Sequence, residues 1–265
     1  MIKRWLVTGD THRDFSRFQQ YPAEWNNDET AVIILGDVGL NVLLNEHDTY
    51  IKKYLRDFYN FYIYCIRGNH EARPSDVPNM EKIWDNQVNG YVYYEKDFPK
   101  IRYFLDYGIY FFDNKNVLVI GGAYSVDKYY RLANNHLRWF ENEELTEEEM
   151  DDCMLQIVGR KFDLVLTHTC PLAWEPSDLF LGFIDQTMVS KRMEKFLDEV
   201  RQEINEGAIW LWGHFHADRI EVPYGEMFFK DTEELSTIFT RWANYKNTHE
   251  LDWWLSKGPR FYMWV

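Results

Sequence analysis

Six short segments of the chain are apolar with almost no interruption, and this pattern constrains the fold more than any other feature. A strand with one face in water alternates apolar and polar residues, whereas these segments are typical of strands that are buried on both faces. Amphipathic segments separate them, which indicates an α/β domain. The six predicted strands are residues 4–8, 31–35, 61–66, 117–120, 163–167 and 208–212.

A further, aromatic-rich group of segments is predicted to be antiparallel. It comprises residues 91–94, 101–105 and 109–112, with Tyr107 and Gly108 as the turn between the last two. These segments extend the predicted β-structure beyond the six buried strands.

Three amphipathic segments are predicted to be helices. The first covers residues 46–58, and the second begins at Thr146, because Thr146 and Glu149 have the spacing of a capping box. The acidic run at residues 141–152 is interpreted as a solvated helix face. The third helix covers residues 190–204, and its apolar side chains fall on one face, which indicates core packing. These side chains are Met193, Phe196, Leu197, Val200 and Ile204.

The length and composition of the chain predict one domain. It has 265 residues, of which 46% are hydrophobic and 18% aromatic, so it can bury a large core. We expect residues 1–232 to form the main body of the domain and the aromatic-rich residues 233–265 to pack on it. An exposed aromatic patch that binds a partner protein is the alternative for this segment. Its aromatic residues include Trp242, Tyr245, Trp253, Trp254, Phe261, Tyr262 and Trp264.

The charge and the cysteine content restrict the class of protein. The formal net charge of -14 repels polyanions, so a small anionic substrate or a protein is easier to accommodate than a long duplex. Charged residues occur too early for a signal peptide, and no apolar run is long enough to span a membrane. Three widely spaced cysteines, Cys65, Cys153 and Cys170, indicate neither a disulfide framework nor a thiolate metal site. We therefore expect a cytoplasmic protein with reduced cysteines and no membrane partner.

Potential metal ligands follow five of the predicted buried strands. The carboxyl ends of strands in an open α/β sheet converge on one crevice, and a Gly at each end allows the sharp exit that points the next side chain into it. Four of these strand ends are Gly9-Asp10-Thr11-His12, Gly36-Asp37, Gly68-Asn69-His70-Glu71 and Gly213-His214-Phe215-His216. The fifth strand ends at His168. The three histidines outside these strand ends, His47, His136 and His249, are interpreted as helix or loop residues.

Nitrogen and oxygen donors without cysteine favour manganese, iron, zinc or nickel at this place. One carboxylate can bridge two ions about 3.5 to 4 Å apart, the spacing at which a metal pair holds a phosphate and activates water. The seven candidate ligands are Asp10, His12, Asp37, Asn69, His168, His214 and His216. Among them, only Asp10 and Asp37 bring negative charge. Two divalent ions would therefore leave a positive surplus, which a hydroxide and a phosphate need.

The ordered motifs D-x-H, G-D, G-N-H-E, a single H and G-H-x-H resemble those of the calcineurin-like metallophosphoesterases. This resemblance implies a four-layer α/β/β/α sandwich, in which two β-sheets pack face to face with helices outside. It also implies two ions, with manganese preferred, that share Asp37 as a bridge. The first ion would be held by Asp10, His12, Asp37 and His216, and the second by Asp37, Asn69, His168 and His214.

The resemblance assigns a catalytic role to one histidine and leaves one position open. His70 would lie beside the ions without binding them and would protonate the leaving oxygen or stabilise the transition state. Ser/Thr phosphatase-like members continue the second motif as G-D-x-x-D-R-G, whereas this chain continues Asp37 with Val38-Gly39-Leu40-Asn41. The Arg that binds phosphate is therefore missing there, which argues against protein-phosphatase activity. Arg73 is the first candidate to replace it, because a guanidinium can hold two phosphate oxygens.

The segment at residues 121–131 is a second candidate for contacts with substrate. It follows a predicted buried strand and carries hydroxyl and cationic groups suited to the rim of a site, and it is similar to a stretch found in uncharacterised bacterial and phage members of the family. Its candidate substrate-binding residues are Tyr124, Lys128 and Arg131. The alternative is a plain loop that leads into a helix.

Three functions fit these features. The favoured one is hydrolysis of a phosphate ester by a metal-bound hydroxide, with monoesters slightly preferred, on a phosphorylated small molecule, a nucleotide or a nucleic-acid end. A phosphodiesterase or nuclease is the nearest alternative, since the same metal pair cleaves both types of ester. An inactive, metal-binding scaffold for other proteins is the alternative from another class, and the complete set of ligands together with His70 argues against it.

Overall fold

Two β-sheets packed against each other form the centre of the molecule, with helices outside both. The computed structural model describes residues 1–134, 137–248 and 260–261. In chain order its strands are β1 (Arg4–Thr8), β2 (Thr30–Ile34), β3 (Tyr62–Cys65), β4 (Met80–Asp85), β5 (Gly90–Glu95), β6 (Ile101–Phe104), β7 (Tyr107–Phe112), β8 (Lys115–Ile120), β9 (Leu164–Thr167), β10 (Ile209–Trp212), β11 (Ala217–Val222), β12 (Gly225–Met227), β13 (Thr232–Glu234) and β14 (Arg260–Phe261). The α-helices are α1 (Glu46–Phe58), α2 (Lys128–Ala133), α3 (Glu147–Ile157), α4 (Arg192–Glu203) and α5 (Leu235–Thr248).

Each sheet has a parallel centre and antiparallel margins. The first sheet has the order β13-β1-β2-β3-β6-β5-β4, in which β1, β2, β3 and β6 are parallel. The second has the order β14-β11-β12-β10-β9-β8-β7, in which β12, β10, β9 and β8 are parallel. Because parallel strands run in one direction, the loops that leave their carboxyl ends lie along one edge of each sheet.

The alternation of side chains along the strands explains the layers. On β1, Trp5 and Val7 belong to the core between the two sheets, whereas Leu6 belongs to the core on the other face, against α1. On β9, Val165 faces α3 and α4, and its neighbours on either side face the first sheet. Both faces of these strands are buried, which is why their sequences are continuously apolar. The predicted sandwich of two sheets flanked by helices is confirmed.

The predicted helices are present in the structure. α1 covers the predicted residues, and the side chain of Asn45 caps it by accepting a hydrogen bond from the backbone of His47. Thr146 and Glu149 form the predicted capping box at the start of α3. The five apolar residues of the third predicted helix are buried together with β9 and β10.

The predicted turn at Tyr107 and Gly108 is wrong. Both residues belong to β7, which pairs with β8 in the second sheet, whereas β6 lies between β3 and β5 in the first sheet. The chain therefore passes from one sheet to the other between these strands. Alternating aromatic residues indicate strands but do not show which sheet each strand joins.

The part of the C-terminal segment that the structure describes packs on the sandwich. β13 pairs with β1 and continues into α5, whose residues Leu235, Ile238 and Trp242 are buried in the core between the sheets. Tyr245 packs against the same core, so Trp242 and Tyr245 are not on an exposed aromatic patch. Phe261 lies in β14, which pairs with β11. Trp253, Trp254, Tyr262 and Trp264 lie outside the described residues, and the division of the chain at residue 232 stays a prediction.

The three cysteines, Cys65, Cys153 and Cys170, are all buried and form no disulfide. None of the helices within the described ranges is long and apolar enough to cross a membrane.

Candidate metal centre

Five strand ends bring the predicted ligands into one region of the molecule. Asp10, Asp37 and Asn69 lie just after β1, β2 and β3, which are neighbours in the first sheet. His168 and His214 lie just after β9 and β10, which are neighbours in the second sheet. Backbone hydrogen bonds join the two groups, since the N–H of His214 donates to Asp10 Oδ1 at 3.0 Å. The edge where parallel strands end therefore forms the site.

One cluster of donors contains Asp10, His12 and His216. His216 Nε2 lies 3.0 Å from Asp10 Oδ2 and 2.9 Å from His12 Nε2. His12 Nε2 lies 3.7 Å from the same carboxylate oxygen. Ligand atoms of the three residues all lie within 4.8 Å of one another, a spacing that allows them to hold one ion.

A second cluster contains Asp10, Asp37 and His168, with Asn69 beside it. His168 Nε2 lies 2.9 Å from Asn69 Oδ1 and 3.6 Å from Asp37 Oδ2. The other ring nitrogen, Nδ1, lies 2.8 Å from the carbonyl oxygen of Leu35, which can fix the tautomer and leave Nε2 as the ligand atom. The ring of His214 is inclined at 68° to that of His168, with 4.9 Å between centroids.

The position of Asp37 supports its assignment as the bridging residue. Its Oδ2 lies 3.9 Å from His12 Nε2 on one side and 3.6 Å from His168 Nε2 on the other. Its Oδ1 accepts a hydrogen bond from the N–H of His70 at 2.9 Å, which holds the carboxylate in place. The donor set of carboxylate oxygens, imidazole nitrogens and one amide oxygen fits two divalent ions. The assignment of each residue to one ion stays a prediction.

Several candidate ligands have backbone conformations that only glycine adopts readily. A non-glycine residue in the left-handed region costs roughly 1 to 2 kcal/mol, and such residues concentrate at functional sites. The packing around these ligands must therefore offset several unfavourable conformations at once. The residues and their φ angles are His12 at 44°, Asp37 at 45°, His214 at 67° and His216 at 54°.

The glycines of the motifs leave room for the ligands. A Cβ atom on Gly68 would lie 2.0 Å from Asp37 Oδ1, and one on Gly213 would lie 2.2 Å from Asp10 Oδ1. Gly36 has a φ of 98°, and its Cβ atom would lie 2.1 Å from His168 Nδ1. All three glycines are therefore required by the side chains opposite, and Gly36 is required by its backbone conformation as well.

The charges of the two clusters act on one another. Burial alone would raise the pKa of Asp10, but His168 and His216 lower it to about 2. Burial alone would lower the pKa of His168, but Asp37 and Asp10 raise it to about 9. Burial and the neighbouring His168 lower the pKa of His214 to about 3. Asp10 is thus negative and His214 neutral at neutral pH, the states in which these groups bind metal ions, whereas His168 must lose a proton when an ion binds.

His70 lies at the mouth of the site beside the candidate bridging carboxylate. Its Nε2 is 3.7 Å from Asp37 Oδ2, and its side chain keeps 21% of its surface exposed. Burial lowers the pKa of His70, although Asp37 opposes this. The neighbouring Glu71 accepts hydrogen bonds from the backbone N–H groups of Gly68 and Gly39, which ties the loops after β3 and β2 together.

Arg73 does not point its guanidinium at the site, and its assignment as a phosphate clamp is corrected here. It forms salt bridges with Glu149 and Asp106, of 2.5 and 3.1 Å from Nη1. Its other nitrogens donate to Glu149 and to the backbone carbonyls of Asn142 and Glu144. All three nitrogens of the guanidinium thereby donate hydrogen bonds. Sequence alone could not reveal these partners, because Asp106 lies 33 residues further along the chain and the others lie 69 to 76 residues further.

The three predicted substrate residues at positions 121–131 have different surroundings. Arg131 is close enough to His70 for its charge to lower the pKa of the imidazole, and it pairs with Asp127 at 2.8 Å. Lys128 Nζ lies over the ring of Trp139, 4.1 Å from its centroid. Tyr124 is partly buried. Arg131 is therefore the predicted residue whose charge reaches the candidate catalytic histidine.

Two residues that were not predicted as site residues lie behind Asn69, one in contact with it and the second in contact with the first. Ser125 accepts a hydrogen bond from Asn69 Nδ2 at 2.9 Å and donates one to Glu143 Oε2 at 2.5 Å. Glu143 lies in the acidic run that was interpreted as a solvated face, yet only 2% of its surface is exposed. That interpretation is wrong for this residue. Ser125 lies in the segment that sequence singled out as a substrate rim, whereas no local pattern distinguishes Glu143 from its acidic neighbours.

A buried arginine, Arg17, contacts the backbone of the cluster that contains Asp10, His12 and His216. Arg17 donates from Nη2 to the carbonyl oxygen of Asp10 at 2.8 Å and from Nη1 to that of Phe229. The ring of Phe229 stacks on His216, with 4.5 Å between centroids. Arg17 thus joins the end of β1 to the segment that packs on a candidate ligand. No sequence motif marks it, because its partners are backbone oxygens and the hydroxyl of Thr8.

The fold and the donor set define a metal-binding α/β sandwich. The chain belongs to the calcineurin-like phosphoesterase family, whose model matches residues 3–218. The matched range contains all seven predicted metal ligands and His70. Membership of this family supports metal-dependent hydrolysis of phosphoesters at a site with two ions. No curated protein matches the chain.

Proposed function

We propose that the chain hydrolyses phosphate monoesters with the help of two divalent metal ions. The substrate class comprises phosphorylated small molecules, nucleotides and nucleic-acid ends. The observation that carries this proposal is the convergence of two carboxylates, one amide and four imidazoles at the ends of five strands, in the order typical of the family.

The ions would supply the chemistry that the side chains lack. When bound, a pair of divalent ions polarises the phosphate oxygens and supplies a nucleophilic hydroxide at neutral pH. As the resemblance to the family implies, Asp37 would be shared between the ions, with Asp10, His12 and His216 on one ion and Asn69, His168 and His214 on the other. Oxygen and nitrogen donors favour manganese, with iron, zinc and nickel as the alternatives.

The residues at the rim would handle the substrate. His70 is partly exposed beside Asp37 and is the candidate to protonate the leaving oxygen. Arg131 is the candidate to hold a phosphate oxygen, since its charge acts on His70 and Arg73 is engaged elsewhere. Tyr124 and Lys128 remain candidates at the same rim. We also propose a reducing, cytoplasmic location, which the three buried and unbridged cysteines support.

An assay with stripped protein tests the proposal. The purified chain is freed of metal and then tested against chromogenic monoesters and diesters, with manganese, zinc, nickel or magnesium added separately. We expect hydrolysis that depends on the metal, with kcat/KM higher for monoesters. Higher kcat/KM for diesters would favour the phosphodiesterase reading instead. The absence of hydrolysis with every metal, in a protein that binds two ions, would favour the inactive scaffold.

Two variants distinguish the loss of the metal ions from the loss of the general acid. Asp37→Asn is expected to abolish activity and to lower the metal content, because the bridging charge is lost. His70→Ala is expected to keep both ions and to lose roughly 10² to 10⁴ in turnover, the range for a positioned general acid. A substrate with a good leaving group should lose less. Equal losses for good and poor leaving groups would remove the acid role from His70.

A further inference from the structure

Asn69 is the one amide among the candidate ligands, and whether it can bind a metal ion depends on which way its side chain faces. An amide has an oxygen that binds metal ions and an NH₂ group that does not, whereas a carboxylate has two equivalent oxygens. In the structure Asn69 Oδ1 faces His168 Nε2 at 2.9 Å, and Nδ2 faces Ser125 Oγ at 2.9 Å. A rotation of the amide by half a turn would present the NH₂ group to the metal centre.

The polarity of the hydrogen bonds beyond Asn69 selects one of the two orientations. Both oxygens of Glu143 accept from Ser125, one from the backbone N–H at 3.0 Å and the other from the hydroxyl at 2.5 Å. A carboxylate only accepts, so the hydroxyl proton of Ser125 points at Glu143 and a lone pair points at Asn69. The Asn69 group that meets this lone pair must be a donor, which is the NH₂. Its oxygen is thereby turned toward His168.

The framework around these side chains is built to hold them together. Asn69, Ser125 and Glu143 are each at most 2% exposed. Arg67 donates to the carbonyl oxygen of Glu143 at 2.7 Å, and the N–H of Gly122 donates to the carbonyl oxygen of Arg67 at 2.7 Å. The loops that carry the three side chains are therefore joined through one buried arginine next to the metal centre.

We propose that Ser125 and Glu143 are positioning residues that orient the amide of Asn69 for the ion on the His168 side. Outer-sphere hydrogen bonds of this kind fix the geometry of ligands, and their loss costs about 10-fold to 100-fold in metal affinity. The proposal rests on the two-ion site of the proposed function. It adds two residues, Ser125 and Glu143, that turn the amide oxygen of the neutral ligand Asn69 toward the ion.

Ser125→Ala tests the proposal through metal binding alone. Stripped protein is dialysed against a series of Mn²⁺ concentrations, and bound manganese is measured by elemental analysis. We expect the parent to bind two ions and the variant to bind the weaker of its two ions about 10-fold to 100-fold less tightly. Glu143→Gln, which keeps the volume but replaces one acceptor by a donor, should weaken the same ion in the same direction and by less.

An Asn69→Asp background distinguishes orientation from a general structural role. An aspartate at this position has two equivalent oxygens, so Ser125→Ala should change its affinity for Mn²⁺ by less than about threefold. Ser236→Ala is the matched control, because the Ser236 hydroxyl also donates to a glutamate, Glu234, at 2.9 Å but lies on another element. This control should bind both ions as the parent does.

Three results would overturn the positioning role. They are a second-ion affinity in Ser125→Ala within about twofold of the parent, an equal loss in the Asn69→Asp background, and a parent protein that binds only one Mn²⁺. A protein that binds two ions but hydrolyses no ester would contradict the proposed hydrolysis alone. Because the readout is metal binding, the positioning role would still be decided in that case.

Discussion

Two arginines near the site illustrate how position in sequence can mislead at the scale of the residue. Arg73 is three residues from His70 but is held by Glu149 and Asp106, whereas Arg131 is 61 residues from His70 and its charge reaches the imidazole. A salt bridge to a carboxylate and a contact with phosphate use the same donors. Arg73 donates hydrogen bonds from all three guanidinium nitrogens, whereas Arg131 donates from two, to Asp127 and to the carbonyl oxygen of Arg138. Arg73 should therefore serve stability, and Arg131 should serve the substrate.

Variants of these two arginines should separate the two roles. Arg131→Ala is expected to raise KM for monoesters and to lower kcat/KM about 10-fold to 100-fold, with little change in melting temperature. Arg73→Ala should leave KM unchanged and lower the free energy of unfolding by on the order of 2 to 3 kcal/mol, since it leaves Glu149 without its cation and Asp106 with Arg67 alone. Steady-state kinetics and denaturant unfolding measure the two effects. A normal KM in Arg131→Ala would make Lys128 the next residue to change.

Glu194 on α4 should make stability depend on pH. Its Oε1 accepts a hydrogen bond from Thr169 at 2.9 Å, and its Oε2 is buried with no partner among the residues that the structure describes. Burial raises the pKa of Glu194 from 4.5 to about 7. The folded chain thus keeps a proton that the unfolded chain loses between these values. Stability should fall as the pH rises from about 4.5 to 7.

Replacement of Glu194 by glutamine removes the titrating carboxyl group and, with it, this pH dependence of stability. Relative to the parent, Glu194→Gln should gain on the order of 2 to 3 kcal/mol of stability between pH 5 and pH 8. Glu199→Gln on the exposed face of the same helix is the control and should show no such change. Denaturant unfolding at the two pH values measures the difference. A constant difference between Glu194→Gln and the parent would mean that Glu194 titrates normally.

At the scale of the element, each parallel strand delivers a ligand only if the turn after it is tight. Gly36 combines a left-handed backbone with direct contact to His168, so Gly36→Ala should displace the imidazole and its hydrogen bond to Leu35. We expect loss of one bound ion and at least a 10²-fold loss of activity, because the metal pair is disrupted. Elemental analysis and turnover measure both effects.

Gly159 provides a matched control for this substitution. It also has a left-handed backbone, with a φ of 69°, but a Cβ atom there would have nothing within 4 Å. Gly159→Ala should therefore cost about 1 kcal/mol of stability and leave metal binding and activity normal. If both alanine variants bind two ions, contact with His168 does not determine the geometry of the site.

Sequence predicted the elements whose signals are local. β1 and α1 have the predicted bounds, because an apolar run ends at a Gly in one case and a capped amphipathic helix begins in the other. The candidate metal ligands follow such strand ends, so local motifs were enough to predict them as well. The partners of Arg73 and the burial of Glu143 depend on how distant loops meet, and no local pattern carries that information. The same holds for the assignment of β6 and β7 to different sheets.

At the scale of the whole molecule, the net charge restricts the substrate. With a formal charge of -14, the chain should hydrolyse small phosphate esters and short or single-stranded ends in preference to long duplexes. Competition between a chromogenic monoester and a long duplex, at low and at ordinary salt, measures this preference. Efficient cleavage within the duplex, with strong inhibition by added salt, would contradict the prediction and favour a nuclease.

The short strand β13 has a consequence for any shortened form of the protein. The family match ends at residue 218, but β13 covers one side of β1, and α5 fills the core with Trp242. A chain cut soon after the match would expose β1 as an edge strand, with unpaired N–H and C=O groups beside an uncovered apolar surface. Such an edge invites pairing with a second copy. The region that the family model matches is therefore shorter than the region that the chain needs to fold. A chain truncated between the end of the match and the end of α5 should aggregate.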